Sequence, residues 1–133
     1  MRILIVEDDL TARRVLERFL AELGECELAM DGEEALELFH TAWAKNTPFE
    51  LICLDLMIPK LDGYQVLGAI RDFERRRVES GESAINRARV IMTTSFNDSE
   101  TFLRSVETGC EGFVPKPIDR ACLFRTLNEL GLL

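Results

Sequence analysis

Four short apolar runs, each ending in polar or charged residues, constrain the fold of this chain more than any other feature. Residues 3–6 lead into Glu7-Asp8-Asp9, residues 51–54 into Asp55, residues 90–92 into Thr93-Thr94-Ser95, and residues 112–114 into Pro115-Lys116-Pro117. If these runs are parallel strands of one sheet, their polar ends converge at the carboxyl edge. Ligands of open α/β sheets bind at that edge.

Segments with helical periodicity alternate with the strand-like runs. Residues 10–23 predict a first helix, which Gly24 ends, and residues 26–30 predict a short strand that is second in chain order. Asp31 is expected to cap the second helix, and either Asn97 or Asp98 the fourth. The alternation predicts a single α/β domain over residues 1–133. Its fold class is a doubly wound, flavodoxin-like, five-stranded parallel sheet of order 2-1-3-4-5 with helices on both faces.

Composition narrows the function classes. The 133 residues are 47% hydrophobic, enough for one domain with a sizeable core. The net charge of -8 disfavours bulk binding to nucleic acid or to an anionic membrane. No apolar stretch approaches the roughly 20 residues that span a bilayer, and the amino terminus does not resemble a signal peptide. The four cysteines are widely spaced, which disfavours zinc. We therefore expect a cytoplasmic protein.

The acids at the predicted edge point to a cation and a phosphoryl group. Asp8, Asp9 and Asp55 would repel one another at close range, so they require a cation or a raised pKa. Oxygen ligands favour Mg²⁺, while Lys116 and the Thr94 hydroxyl can bind phosphoryl oxygens. The alternative is that an Asp-Asp pair after a strand serves as a helix N-cap, a role open to Asp9 in either case.

The same motifs resemble a protein family. Over essentially its whole length the chain resembles the bacterial two-component response-regulator receiver domains, which are CheY-like. The residues that carry this resemblance are Glu7-Asp8-Asp9, Asp55-Leu56-Met57-Ile58-Pro59, Asp62-Gly63, Thr94-Ser95 and Phe113-Val114-Pro115-Lys116-Pro117.

The resemblance implies a role for each site residue. Asp55 would be the phospho-acceptor, and Asp8 and Asp9 would hold Mg²⁺ together with the Asp55 carboxylate and the Met57 carbonyl. The remaining roles are a switch hydroxyl, a phosphate-binding lysine and a switch aromatic, which fall to Thr94, Lys116 and Phe113. Strand alternation predicts that Glu7 turns away from Asp8 and only flanks the site.

The resemblance also implies partners. The phosphoryl group would come from a sensor histidine kinase or a histidine phosphotransfer protein. Phosphorylation would change the surface of the fourth helix, fifth strand and fifth helix, which would bind a downstream protein or a second copy of the chain. No direct contact with nucleic acid or membrane is expected. The protein would catalyse its own phosphorylation and dephosphorylation, but not a reaction on an outside metabolite.

Residues next to the predicted pocket bear on the switch hydroxyl and on the lifetime of the phosphoryl group. Thr93 competes with Thr94 for the switch role, and the small Ser95 favours Thr94, because the family pattern places a small residue after the switch hydroxyl. Met57 and Phe96 flank the predicted pocket, where apolar groups could exclude water and slow the loss of phosphate.

Residues 71–89 depart from the family pattern by their length. They contain six arginines and four acids in an otherwise acidic chain. A solvated loop or an extended helix is one interpretation, and a docking site for an acidic partner is the other.

The positions of the acids disfavour two other function classes. A Mg²⁺-dependent phosphohydrolase with an aspartyl nucleophile typically carries it after the first strand, whereas Asp55 follows the third. A flavodoxin needs a phosphate loop after the first strand, where Glu7-Asp8-Asp9 would repel phosphate. The chain could also be a receiver domain excised from a longer regulator.

Overall fold

A computed structural model describes residues 1–81, 87–95 and 98–133. Strands and helices alternate along these ranges, as the periodicity predicts. In chain order they are β1 (Arg2–Val6), α1 (Leu10–Leu20), β2 (Glu25–Ala29), α2 (Gly32–Ala44), β3 (Leu51–Asp55), α3 (Gly63–Glu79), β4 (Arg89–Thr94), α4 (Ser99–Thr108), β5 (Gly112–Pro115) and α5 (Arg120–Glu129).

The strands form one parallel sheet in the order β2-β1-β3-β4-β5, so the predicted fold class is confirmed. Successive strand residues face opposite sides of the sheet. On one side Leu4 and Ile52 pack with helices α2 and α3, and on the other Ile5 and Cys53 pack with α1 and α5. Burial on both faces explains why β1 and β3 are apolar along most of their length.

Aspartate begins each helix within the described ranges. The carboxylate of each capping residue accepts a hydrogen bond from a backbone N–H three residues later, which satisfies a donor that the helix leaves free. The caps are Asp9, Asp31, Asp62, Asp98 and Asp119. The expected cap at Asp31 is confirmed, and Asp98 caps α4, while Asn97 lies outside the described residues.

The first helix is shorter than its periodicity predicts. It ends at Leu20 with Ala21 as its C-cap, so the role expected of Gly24 at the helix end is wrong. A Cβ at Gly24 would stand 1.9 Å from the Met1 carbonyl oxygen, so Gly24 lets two backbone segments approach instead. By contrast, α4 does end at a glycine, because Gly109 adopts the αL conformation at its C-cap.

The arginine-rich segment begins as a helix extension. Helix α3 continues to Glu79, and Glu74 is buried with 3% exposure. Arg71 donates to the carboxylates of Glu74 and Glu111 and to the carbonyl oxygens of Ala88 and Gly109. Arg71 is therefore paired within the domain and is not available to a docking partner. The role of the rest of the segment stays open, because residues 82–86 lie outside the described ranges.

A glycine at the start of α3 allows the loop after β3 to close. Gly63 donates a backbone hydrogen bond of 2.8 Å to the Leu56 carbonyl. A Cβ at Gly63 would stand 2.6 Å from the Asp55 carbonyl oxygen and 2.8 Å from the Leu56 Cα. A side chain there would therefore push against the backbone that carries Asp55.

Across residues 1–81, 87–95 and 98–133, none of the helices combines the length and apolarity needed to cross a bilayer.

Candidate phosphoacceptor site

Three carboxylates meet at the carboxyl edge of the sheet. Glu7 and Asp8 follow β1, and Asp55 is the last residue of β3. One oxygen from each carboxylate lies within 4.8 Å of the other two. Glu7 and Asp55 are buried, whereas Asp8 is exposed. The edge therefore carries a dense negative charge that is open to solvent through Asp8.

Lys116 balances this charge from the other side of the edge. Its Nζ lies 2.5 Å from Glu7 Oε1 and 3.1 Å from Asp55 Oδ2. The residue follows β5 directly, and its backbone N–H donates to the Thr94 carbonyl, which fixes the start of the loop. The structure thus brings Asp55 and Lys116 together, as their strand-end positions predict.

Glu7 is not turned away from the cluster, so the flanking role predicted for it is wrong. Its carboxylate belongs to the group with Asp8 and Asp55 and contacts Lys116. The reason lies in the alternation along two strands. Ile5 pairs with Cys53, so Glu7 and Asp55, each two residues further along, face the same side of the sheet. Alternation turns Glu7 away from Asp8 but toward Asp55.

Asp9 lies apart from this group in the described structure. Its Oδ2 accepts a hydrogen bond of 2.9 Å from Ala12 N and caps α1. Its backbone N–H donates to Glu7 Oε2. The structure therefore assigns Asp9 a capping role, and Glu7 takes the third place in the acidic cluster.

The remaining predicted residues lie on β4, on β5 and in the loop after β3. Thr93 and Thr94 are both buried at the end of β4. Phe113 is half-buried, and its ring packs edge-on against Phe102 of α4, with the centroids 5.8 Å apart. The Met57 side chain is 61% exposed in the loop after Asp55, and Phe96 lies outside the described residues.

Burial and repulsion change the protonation of the site. Burial, together with the neighbouring Glu7 carboxylate, raises the pKa of Asp55 to about 7, although Lys116 opposes this effect. For Lys116, burial lowers the pKa, but the close contact with Glu7 and the charges of Glu7 and Asp55 raise it by more, so the net shift of the Lys116 pKa is upward. The lysine therefore stays charged while Asp55 holds a proton more readily than an ordinary aspartate.

The donor set fits a divalent cation. Its atoms are carboxylate oxygens, the ligands that Mg²⁺ prefers. Glu7 Oε1 is buried and, among the described residues, has no hydrogen bond of good geometry, although Lys116 provides an ion-pair contact. Lys116 supplies one positive charge to a group of three carboxylates, so a cation here would balance the negative charge that remains.

The raised pKa of Asp55 predicts how stability depends on pH. The pKa of Asp55 is about 7 in the folded protein, whereas in the unfolded chain it returns to its ordinary value of 3.8. Stability without metal should therefore fall as pH rises from about 4 to 7, by about 2 to 4 kcal/mol from this group. Urea unfolding in EDTA at several pH values measures the loss, and Asp55→Asn should lack it. Parallel pH profiles for the two proteins would contradict the shift.

Comparison with known proteins agrees with this geometry. The family model described as the response regulator receiver domain matches residues 3–128. The chain belongs to this family. It is a receiver domain of two-component signalling systems. Among curated relatives, the "Probable transcriptional regulator ycf27" of Cyanophora paradoxa is 37% identical over 96% of this chain and 50% of its own length. Regulatory protein VanRB of Enterococcus faecalis is 31% identical over 98% and 52%.

Solved receiver structures share the fold. One is a co-crystal structure of the Saccharomyces cerevisiae phosphotransfer protein Ypd1 with the receiver domain of Ssk1. Its TM-score is 0.84 at 27% identity, with 98% of this receiver and 88% of that chain covered. The CheX–CheY complex with BeF3 and Mg²⁺ from Borrelia burgdorferi gives 0.80 at 26% identity, with 98% and 89% covered. The receiver spans about half the length of the curated relatives that it matches first.

Proposed function

We propose that Asp55 accepts a phosphoryl group, and that this modification changes a binding surface formed by α4, β5 and α5. The observation that carries the proposal is the buried Asp55 carboxylate between Lys116 and the acids Glu7 and Asp8. A buried nucleophile beside a fixed ammonium and a cation site suits phosphoryl transfer, in which catalysis depends on positioning and on electrostatic stabilisation.

Mg²⁺ is the proposed cofactor. Asp8, Asp55 and the Met57 carbonyl would hold it, with Glu7 replacing Asp9 as the second acid from the end of β1. When bound, the ion would neutralise charge on the phosphoryl oxygens during transfer. This assignment keeps three of the four ligands expected from the family resemblance.

The residues of the chain supply the remaining steps. The Asp55 carboxylate attacks phosphorus, and the bond from phosphorus to the donor nitrogen breaks as the new acyl phosphate forms. Lys116 then exchanges its contact with the carboxylate for a phosphoryl oxygen. The proposed switch hydroxyl, Thr94, would bind a second oxygen and draw the end of β4 toward Asp55. Phe113 is the proposed switch aromatic, because its ring borders the surface that responds.

The proposed partners follow from the chemistry and from the relatives. The donor would be a sensor histidine kinase or a histidine phosphotransfer protein, the class to which Ypd1 of the matched complex belongs. The output surface would combine α4, β5 and α5 and bind a downstream protein or a second phosphorylated copy. Exposed Phe102, Leu103 and Val106 give α4 an apolar face suited to such contacts.

The scope of the activity is also a proposal. The receiver domain would extend over residues 1–133 and catalyse only its own phosphorylation and dephosphorylation, in the cytoplasm. A phosphohydrolase acting on outside substrates is the weaker alternative, because the candidate nucleophile follows β3 and not β1.

Intact-mass measurement tests the proposal directly. The purified protein would be incubated with acetyl phosphate, with Mg²⁺ or with EDTA. We expect a gain of one phosphoryl group that requires Mg²⁺, and peptide mapping should place it on Asp55. No mass gain, or a phosphoryl group on another residue, would refute the proposed role of Asp55.

A further inference from the structure

Helix α4 is attached to the domain by few buried contacts. Among its ten residues, all within the described ranges, Ser105 is the buried one. Three of its large apolar residues, Phe102, Leu103 and Val106, are about half exposed, although the Phe102 ring also packs against Phe113 of β5. A helix with so little packed area has low local stability, and its position depends strongly on the few contacts that it makes.

Helix α3 holds α4 at both ends through residues two turns apart. Near the start of α4, the Tyr64 hydroxyl donates a 3.3 Å hydrogen bond to the Thr101 carbonyl. At its end, Arg71 Nε donates a 3.0 Å hydrogen bond to the Gly109 carbonyl. Tyr64 and Arg71 are seven residues apart, so they lie on one face of α3.

A stacked pair extends this attachment from the first turn of α4 to its middle. The Arg104 guanidinium lies 4.0 Å from the centroid of the Tyr64 ring, within the range of a cation–π contact. Arg104 follows Thr101 by three residues, so both contacts use the same face of α4. These side chains also line a cleft of about 260 Å³ that reaches Leu56 and Met57, directly after Asp55.

The two attachments differ in strength. Arg71 is 13% exposed and ion-paired to Glu74 and Glu111, so its contact belongs to a buried network. The Tyr64–Arg104 stack lies at a solvent-accessible cleft, and Arg104 is exposed. Exposed cation–π pairs are weak, so the start of α4 is easier to release than its end.

We infer that the Tyr64–Arg104 pair, together with the Tyr64–Thr101 hydrogen bond, is a clamp that holds α4 in place from its first turn to its middle and thereby restrains the switch. Its release lets α4 turn about the end fixed by Arg71 and Gly109. Because β4 ends at Thr94 and α4 begins at Ser99, a pull of Thr94 toward Asp55 acts first on the clamped end. This inference rests on the proposed function. It makes Tyr64 and Arg104 positioning residues, which act through α4 and not through contact with the phosphoryl group.

Beryllofluoride affinity in the presence of Mg²⁺ tests the clamp, followed by amide NMR titration of the full chain. If the clamp opposes the activated arrangement, then its removal raises the population of that arrangement and the apparent affinity with it. We expect Arg104→Leu and Tyr64→Leu each to tighten binding by about three- to fivefold. The double variant should gain less than the product of the single effects, since both remove one contact.

Conservative variants separate the clamp from general damage to the fold. Tyr64→Phe keeps the ring and loses the hydroxyl, so it should tighten binding by about twofold. Arg104→Lys keeps the charge and should lie near wild type. Arg77→Leu is the matched control, because Arg77 stacks over Trp43 and Phe73 on the side of α3 that faces α2. Its affinity should match that of the wild type.

The outcomes are distinct. Tighter binding in the clamp variants, with Arg77→Leu unchanged, supports the inference. Unchanged or weaker binding in folded Arg104→Leu and Tyr64→Phe overturns it. If the wild-type protein itself fails to bind beryllofluoride, then the proposed function fails, and the clamp fails with it.

Discussion

Asp55→Asn is expected to abolish the gain of a phosphoryl group from acetyl phosphate. The asparagine keeps the shape of the side chain but removes the nucleophilic oxygen, so no acyl phosphate can form. The variant should also be at least as stable as the wild type at pH 8 without metal, because it removes a buried charge beside Glu7. Intact mass and urea unfolding measure the two effects on one sample.

The two aspartates that follow β1 test the metal site, one as the test and the other as its control. Asp8→Asn removes a carboxylate from the cluster, and we expect the Mg²⁺ concentration for half-maximal phosphorylation to rise at least about tenfold. Asp9→Asn keeps the helix cap, since asparagine caps as well as aspartate. Its Mg²⁺ requirement should stay within about twofold of the wild type. An equal loss in both variants would instead support Asp9 as a metal ligand.

Arg71→Leu is expected to produce the largest loss of stability. The Arg71 side chain is 13% exposed and bonds to Glu74, which is 4% exposed, and to Glu111, which is 20% exposed. Removal of the guanidinium leaves both carboxylates without their main partner in a poorly solvated site. Breaking one side of such a buried pair costs about 3 to 5 kcal/mol, and urea unfolding at pH 7 measures that change in the free energy of unfolding.

A surface arginine on the same helix is the control for this prediction. Arg75 has a side chain that is 62% exposed and pairs with Asp72 at 3.0 Å. Exposed pairs contribute about 0 to 1 kcal/mol, so Arg75→Leu should change stability by no more than this. Equal effects at the two positions would show that the Arg71 network is not a buried structural element. The combination of Arg71→Leu with Glu74→Gln should recover part of the loss.

The network also changes how the arginine-rich segment is interpreted. Deletion of residues 74–86 is a natural test of a docking role when the segment is viewed as a surface insertion. In the structure such a deletion removes Glu74, whose carboxylate accepts from Ala88 N at 2.8 Å and from Arg71. A loss of partner binding after that deletion would therefore report damage to the fold. Single substitutions at exposed Arg75 or Arg76 are the informative test of docking.

The order of the sheet and the meeting of Asp55 with Lys116 could be predicted from the sequence. Both follow from strand periodicity and from the rule that parallel strands share one carboxyl edge. The position of Glu7 could also have been predicted from strand alternation, because Glu7 lies two residues after Ile5 and Asp55 lies two residues after Cys53, the partner of Ile5. The end of α1 at Leu20 could not be read from apolar spacing, because Leu23 continues the pattern while the backbone has left the helix.

Long-range charge pairing was the least predictable part. Arg71 and Glu111 are forty residues apart, and no local pattern links them. Nor does the spacing of Tyr64 and Arg104 indicate a stack, since the packing of α3 against α4 determines it. Local periodicity places side chains on faces, but tertiary packing decides which faces meet.

The close packing at Gly63 shows that some residues of the family motif serve the shape of the loop and not the phosphoryl chemistry. Asp62 caps α3, and Gly63 leaves room for the carbonyl of Asp55 and the backbone of Leu56. Neither residue needs to touch a phosphoryl group to be required. A receiver that had lost its phosphorylatable aspartate would still need this Asp-Gly pair to close the same loop. The Asp-Gly pair therefore indicates the shape of the loop, and it carries no evidence that a related sequence can be phosphorylated.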